Sequence, residues 1–95
     1  RLQNFSTETS RKLVSALAAS NAAIDDLLGD VCGALNRLDQ TDGLRIAFVN
    51  GDIVHFRPSG NAPELRCYAE SASADRAWGL VRAGLRRIKL LAERA

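Results

Sequence analysis

One segment in the second half of the chain combines the residue types that bind anions. It reads Arg57-Pro58-Ser59-Gly60-Asn61-Ala62-Pro63. The planar guanidinium of Arg57 matches the oxygens of a phosphate or carboxylate, while Ser59 and Asn61 add short hydrogen-bonding side chains. Gly60 permits positive φ and close approach of a ligand, and the prolines reduce the entropy lost when the loop orders. The segment predicts a phosphate-binding loop, although an ordinary turn punctuated by proline and glycine fits these residues equally well.

Two residues of the flanking segments are further candidates for contact with the same anion. Arg66 follows the loop and either supplies a second positive charge or is simply an exposed strand residue. His55 precedes Arg57 by two positions, and a half-buried histidine with satisfied hydrogen bonds explains it better than a phosphate ligand. One histidine and two cysteines, Cys32 and Cys67, are too few for a structural zinc site.

The composition indicates one ordinary globular domain. The chain has 95 residues, of which 46% are hydrophobic and 25% charged. Thirteen Lys and Arg against eleven Asp and Glu give a net charge of +2, too balanced to indicate binding of nucleic acid or membranes by bulk charge. The apolar runs are shorter than the roughly 18 residues that a membrane span needs. Because the chain begins with Arg1 and contains no Met, we expect it to be part of a longer protein.

The residues ahead of the loop predict helices and then strands. Ser6 can cap a helix over about 7–19, and the pair Ser20-Asn21 can interrupt it and cap a short helix over 22–28 that ends at Gly29. Whether these are two helices or one bent helix stays open. The dipeptides Asp42-Gly43 and Asn50-Gly51 are typical of two-residue hairpin turns.

These turns separate three predicted strands, over 34–41, 44–49 and 52–57, and a fourth predicted strand, over 64–70, follows the candidate loop. A two-residue turn at Asn50-Gly51 predicts the cross-strand pairs Phe48 with Ile53, Ile46 with His55, and Leu44 with Arg57.

A last helix follows, capped by Ser73. Its predicted buried stripe consists of Trp78, Val81, Leu85, Ile88 and Ala92. The order α-β-β-β-β-α predicts an α+β fold in which helices pack on a four-stranded antiparallel sheet.

The loop and its neighbours resemble the C-terminal domain of the α-D-phosphohexomutases, the family of phosphomannomutase, phosphoglucomutase and phosphoglucosamine mutase. The family loop R-x-S-G-T-x-P is matched at Arg57, Ser59, Gly60 and Pro63, whereas Asn61 replaces the usual Thr. The resemblance extends over most of the chain and is strongest from 42 to 70. It implies the fold of the family's C-terminal domain, which is similar to the TATA-box-binding protein.

This resemblance implies the last of four domains of a cytoplasmic enzyme that interconverts 6-phospho and 1-phospho sugars through a hexose 1,6-bisphosphate. In such an enzyme the domain binds the phosphate that is not reacting and closes over the cleft. Arg57, Ser59, Gly60 and Asn61 are then the phosphate-binding residues, with Arg66 and His55 as possible additional contacts. Residues 1–5 form a linker or edge segment from the preceding domain, and residues 6–95 form the phosphate-binding domain.

The chain lacks the family segments that carry the phosphoserine, the Mg²⁺ ligands and the contacts to sugar hydroxyls. We therefore expect no catalytic residue and no metal ligand on it, and Ser59 is not a nucleophile. The partners implied are a hexose phosphate and three further domains of the same polypeptide, with Mg²⁺ bound outside this chain. The isolated chain is expected to have no mutase activity, and its residues do not distinguish mannose, glucose and glucosamine phosphates.

A stand-alone RNA-binding or interaction module is the alternative function for an α+β domain of this size. RNA-binding sheets use exposed aromatic residues on adjacent strands. Here the candidates are Phe48, Phe56 and Tyr68, and the predicted register puts the two phenylalanines on opposite faces. This alternative also leaves the loop unexplained.

Overall fold

The computed structural model describes residues 1–94, which form one antiparallel sheet covered by three helices. The elements are, in chain order, β1 Leu2–Gln3, α1 Thr7–Ala18, α2 Asn21–Cys32, β2 Leu35–Asp39, β3 Leu44–Phe48, β4 Ile53–Pro58, β5 Glu64–Glu70 and α3 Ala74–Arg94. The α+β class is confirmed. No helix within residues 1–94 is long and apolar enough to pass through a membrane.

The sheet has five strands in the order β1-β5-β4-β3-β2, so the prediction of four strands is wrong. The additional strand is β1, in which Leu2 pairs with Leu65 and Gln3 with Glu64. Two residues are too few for a periodic pattern to appear in the sequence, which is why residues 1–5 fitted a linker as well as an edge strand.

The first two helices are separate, as their serine caps indicate. The Ser6 and Ser20 hydroxyls each accept the amide N–H of the residue three positions later, at 3.1 Å. The predicted end of α2 at Gly29 is wrong, because the helix continues to Cys32 and ends at Gly33 with φ of 78°. Continued burial on one face of α2, where Cys32 is 2% exposed, outweighs the about 1 kcal/mol cost of an interior glycine.

The hairpin between β3 and β4 is closed by the amide of Phe48, which donates to the carbonyl of Asp52 at 2.9 Å. The loop inside this pair has three residues, 49–51, not the predicted two. The amide of Gly51 donates to the carbonyl of Phe48 at 3.0 Å, and Gly51 adopts a φ of 94°. This is the pattern of a turn followed by a glycine bulge, in which only the glycine needs positive φ. The cross-strand pairs are therefore shifted by one residue from the prediction, so that Ile46 pairs with Val54.

The observed register also pairs Leu44 with Phe56 and places the two phenylalanines on one face. Leu44, Ile46, Phe48 and Phe56 are all buried there. The predicted register would have set buried Ile46 opposite half-exposed His55. Burial of matched apolar pairs thus decides the register, because a slip of one residue would turn these side chains to the other face.

The buried residues of α3 are Leu80, Gly84 and Ile88. Of the predicted stripe, Ile88 is buried, Val81, Leu85 and Ala92 are partly buried and pack against the core, and the prediction for Trp78 is wrong. Trp78 is 63% exposed. A Cβ on Gly84 would lie 3.2 Å from the ring of Phe56, which shows how closely the helix approaches the sheet. A search of the sequence for large apolar residues at helical spacing does not find this stripe, because its middle residue is a glycine, Gly84.

Buried Asp52 connects the β3–β4 turn to the helices. Its carboxylate accepts hydrogen bonds from Ser71 at 2.6 Å, from Asn50 at 2.9 Å and from Arg76 at 2.6 Å. Arg76 also donates to the carbonyl of Val31 at the end of α2, at 3.0 Å. These hydrogen bonds, led by that of Arg76, hold the pKa of Asp52 at about 2, below its ordinary value of 3.8.

Candidate phosphate-binding site

The register of β4 and β5 brings the charged candidates together on the face of the sheet that the helices leave open. Arg57 pairs with Arg66 across the two strands, and His55 pairs with Tyr68. We call this surface the open face and define it by these four residues and Arg45, which pairs with His55 from β3. The three predicted side chains Arg57, Arg66 and His55 are thus neighbours.

Arg57 lies between an aromatic ring and a carboxylate. The central carbon of its guanidinium is 5.8 Å from the centroid of the Tyr68 ring. Its Nη1 atom is 3.8 Å from the Asp42 carboxylate, and the side chain is 37% exposed. The guanidinium is therefore held on two sides and still open to a solute.

Arg66 has a carboxylate partner of its own. It donates to Glu64 at 3.2 Å, and Glu64 also lies 3.3 Å from Arg1. Glu64 is buried, so the two arginines compensate a charge that would be costly to bury alone. The arrangement holds Arg66 beside the end of the loop.

His55 is half-buried, and its Nε2 atom lies 2.5 Å from the backbone carbonyl oxygen of Asp42. The imidazole ring is 5.9 Å from the ring of Tyr68. This nitrogen therefore faces the Asp42 backbone and connects the turn before β3 to β4.

The loop itself is closed around Ser59, which is buried. The hydroxyl oxygen of Ser59 accepts the amide N–H groups of Asn61 at 3.3 Å and Ala62 at 3.2 Å. The amide of Ser59 donates to the carbonyl of Glu64 at 3.0 Å, which joins the two ends of the loop. Both acceptor positions of the hydroxyl are in use, so it has only its O–H to offer to a ligand.

Gly60 and Asn61 form the exposed tip of the loop. Gly60 does not adopt a positive φ, contrary to the property for which it was singled out. A Cβ at this position would meet no atom within 4 Å. The glycine at this position therefore leaves space for an approaching ligand, and its φ is one that other residues also adopt.

Comparison with known proteins assigns the chain to a family. Residues 2–83 match the family model described as the phosphoglucomutase/phosphomannomutase C-terminal domain. The chain belongs to this family.

Two curated relatives are phosphomannomutases. That of Sinorhizobium fredii is 45% identical over 85 residues, which are 90% of this chain and 18% of the relative. That of Salmonella muenchen is 42% identical over 89 residues, which are 94% of this chain and 19% of the relative. The chain thus spans less than a fifth of the length of either relative, as expected if it corresponds to one domain.

In this phosphoglucomutase/phosphomannomutase C-terminal domain, Asp42 and Tyr68 contact Arg57, which the sequence does not predict. The sequence indicates only a turn at Asp42. That turn packs tightly on β4, since a Cβ on Gly43 would lie 2.3 Å from the carbonyl oxygen of Phe56. Tyr68 follows Arg66 by two residues in β5, and residues two apart on a strand lie on the same face of the sheet. This spacing is the signal in the sequence that places both side chains on one face.

Two surface clefts accompany the domain. One, of about 370 Å³, is lined in part by Arg11, Asp42 and Pro58 and adjoins the start of the loop. The other, of about 350 Å³, lies between α2 and α3. Neither cleft is lined by a predicted site residue. The first adds Arg11, which the sequence did not single out, to the cations near the loop.

Within residues 1–94, no three His, Cys, Asp or Glu side chains come together in a group that could hold a metal ion. The family resemblance places the Mg²⁺ ligands outside this chain, and no step of the reaction is assigned to a metal on this domain. The aromatic residues also give the RNA-binding alternative no support, since Phe48 and Phe56 are buried and Tyr68 alone of the three is exposed.

Proposed function

We propose that this domain binds the non-reacting phosphate of a hexose phosphate through Arg57, Ser59, Gly60 and Asn61. In the full-length enzyme it closes the active site during interconversion of sugar 6-phosphates and 1-phosphates. Family membership supports the enzyme class. The observation that carries the proposal is the half-exposed guanidinium of Arg57 next to an exposed loop whose buried serine can only donate.

The charges on the open face favour an anion as the ligand. Arg57 and Arg66 are direct cross-strand partners, and like charges in that position repel each other. Asp42 and Glu64 each compensate one of them. A phosphate adds negative charge beside this pair of arginines, and its oxygens accept charge-assisted hydrogen bonds from guanidinium groups.

The role proposed for the domain is binding and positioning, without bond making. Binding a phosphate far from the reacting centre provides free energy for orienting the sugar and for excluding water. Within residues 1–94 the Ser59 hydroxyl shows no hydrogen bond to a side chain that could act as a base, and its oxygen accepts two backbone amides. The nucleophile, the Mg²⁺ ligands and the sugar contacts then lie on other domains, so the isolated chain should not turn over a hexose 1-phosphate.

An NMR titration of the ¹⁵N-labelled 95-residue chain tests the proposal. Inorganic phosphate and mannose 6-phosphate are added separately at constant ionic strength; the mannose compound comes first because the curated relatives are phosphomannomutases. The amides of Ser59, Gly60 and Asn61 should shift, with a dissociation constant of about 1 mM, because one phosphate subsite provides only a few kcal/mol.

Arg57→Ala should weaken phosphate binding by about tenfold, since it removes charge-assisted hydrogen bonds. Arg82→Ala is the matched control, because Arg82 is an exposed arginine on α3. Equal affinity of the Arg57→Ala and Arg82→Ala variants would show that Arg57 is not the phosphate ligand.

A further inference from the structure

Tyr68 is the exposed aromatic residue of the open face and lies beside three residues of the candidate site: Arg57, His55 and Arg66, whose pKa is raised by the Tyr68 hydroxyl and by Glu64. The ring centroid of Tyr68 lies 5.8 Å from the guanidinium of Arg57 and 5.9 Å from the ring of His55. The side chain is 44% exposed, so it contributes little to the core. Packing in the core therefore does not explain why a large aromatic residue occupies this position.

The position of Tyr68 relative to Arg57 follows from the register. Tyr68 pairs directly with His55, which makes it the diagonal neighbour of Arg57. Diagonal neighbours are about 7–8 Å apart, within reach of a long side chain and an aromatic ring. Arg57 is directly opposite Arg66, whose charge repels it, whereas the face of the Tyr68 ring attracts a cation.

These forces restrict the Arg57 side chain before any ligand arrives. An exposed arginine samples many rotamers, and binding through it costs the entropy of selecting one of them. Here the ring of Tyr68 lies on one side of the guanidinium and the carboxylate of Asp42 lies 3.8 Å away on another. The carboxylate competes with an incoming phosphate for the guanidinium, whereas the ring carries no charge and does not.

We propose that Tyr68 is a positioning residue for the phosphate site: the face of its ring preorganises Arg57 and thereby raises the affinity of this domain for phosphate. The proposal rests on the proposed function for its ligand, and it assigns Tyr68 no contact with the phosphate. It also predicts that the ring acts through its face, so the phenol hydroxyl is dispensable.

The test compares Tyr68→Leu, Tyr68→Phe and Trp78→Leu in the 95-residue chain, titrated with inorganic phosphate at constant ionic strength. Trp78→Leu is the matched control, because Trp78 is the exposed aromatic residue of α3. Tyr68→Leu should weaken phosphate binding by about threefold, in line with a cation–π contact at an exposed site. Tyr68→Phe and Trp78→Leu should bind as wild type does.

A second readout does not depend on phosphate binding. The order parameter of the Arg57 Nε–H group, measured without ligand, should fall in Tyr68→Leu and stay at the wild-type value in Tyr68→Phe. Thermal unfolding of each variant shows whether a change in affinity merely follows a loss of fold, and we expect no such loss for an exposed side chain.

The outcomes separate this proposal from the proposed function. Unchanged mobility of Arg57 in Tyr68→Leu overturns the positioning role, whether or not the chain binds phosphate. Equal weakening in Tyr68→Phe and Tyr68→Leu also overturns it, because the hydroxyl would then be the acting group. If Arg57→Ala abolishes binding while Tyr68→Leu leaves it intact, the phosphate site stands and the role of Tyr68 falls.

Discussion

The substitution Asp52→Asn tests the buried cluster that joins the β3–β4 turn to α2 and α3. Each carboxylate oxygen of Asp52 accepts two hydrogen bonds, Oδ1 from Ser71 and Arg76 and Oδ2 from Asn50 and Arg76. An asparagine keeps the shape but turns an NH₂ group toward two donors, whichever way its amide is oriented. Because Arg76 is partly exposed and can reach water, we expect a loss of about 2–3 kcal/mol in the free energy of unfolding.

The pH dependence provides a second measure of the same interaction. The pKa of Asp52 is lowered from 3.8 to about 2, which corresponds to about 2 kcal/mol of stability. Because the folded chain favours the ionised form, this contribution is complete above pH 5 and disappears as the pH falls through 3.8 toward 2. The difference in stability between wild type and Asp52→Asn should therefore shrink by about 1–2 kcal/mol between pH 6 and pH 2.5.

Urea unfolding followed by circular dichroism at pH 6 and pH 2.5 measures both quantities. Asp26→Asn is the control, since it removes the same charge from an exposed carboxylate on α2. If Asp52→Asn loses no more stability than Asp26→Asn at pH 6, or if the difference is the same at both pH values, the account of the Asp52 cluster is wrong.

Two further predictions concern the backbone and the thiols. Gly43→Ala should lower the free energy of unfolding by about 2–4 kcal/mol, because its methyl group would overlap a carbonyl oxygen of β4. Gly51→Ala has open space around it and should lower that free energy by only about 1 kcal/mol, through backbone strain. Similar losses for the two variants in urea unfolding would contradict this. Burial raises the pKa of Cys32 to about 11 and that of Cys67 to about 12, so both thiols should react slowly with a disulfide reagent at pH 8 until urea unfolds the chain. Since the folded chain disfavours the thiolates, stability should also fall as the pH rises above 9, and fast labelling of the folded chain at pH 8 would argue against their burial.

Local signals in the sequence predicted the ends of several elements. The caps at Ser6, Ser20 and Ser73 each accept an amide three residues later, and β5 has the predicted bounds 64–70. Such interactions involve neighbouring residues, so the local sequence is sufficient to specify them. The loop at 57–63 was likewise found from residue types within one short segment.

Features that depend on contacts between distant segments were predicted wrongly. The buried stripe of α3 follows from the approach of Gly84 to Phe56, and these residues are far apart in the chain. The register of β3 and β4 follows from burial of Ile46 against Val54, which a turn dipeptide alone did not specify. In both cases packing against another element outweighed the local pattern.

The same division applies to the candidate site. The sequence by itself determined that Arg57, Ser59, Gly60 and Asn61 lie in one short segment with donors for an anion, and its resemblance to a family predicted which anion. Only the tertiary structure placed Tyr68 and Asp42 beside Arg57, because β5 and the turn before β3 reach this residue through strand pairing. Residue types along a segment specify what a loop can bind, whereas the side chains that hold its arginine depend on which strands lie next to each other.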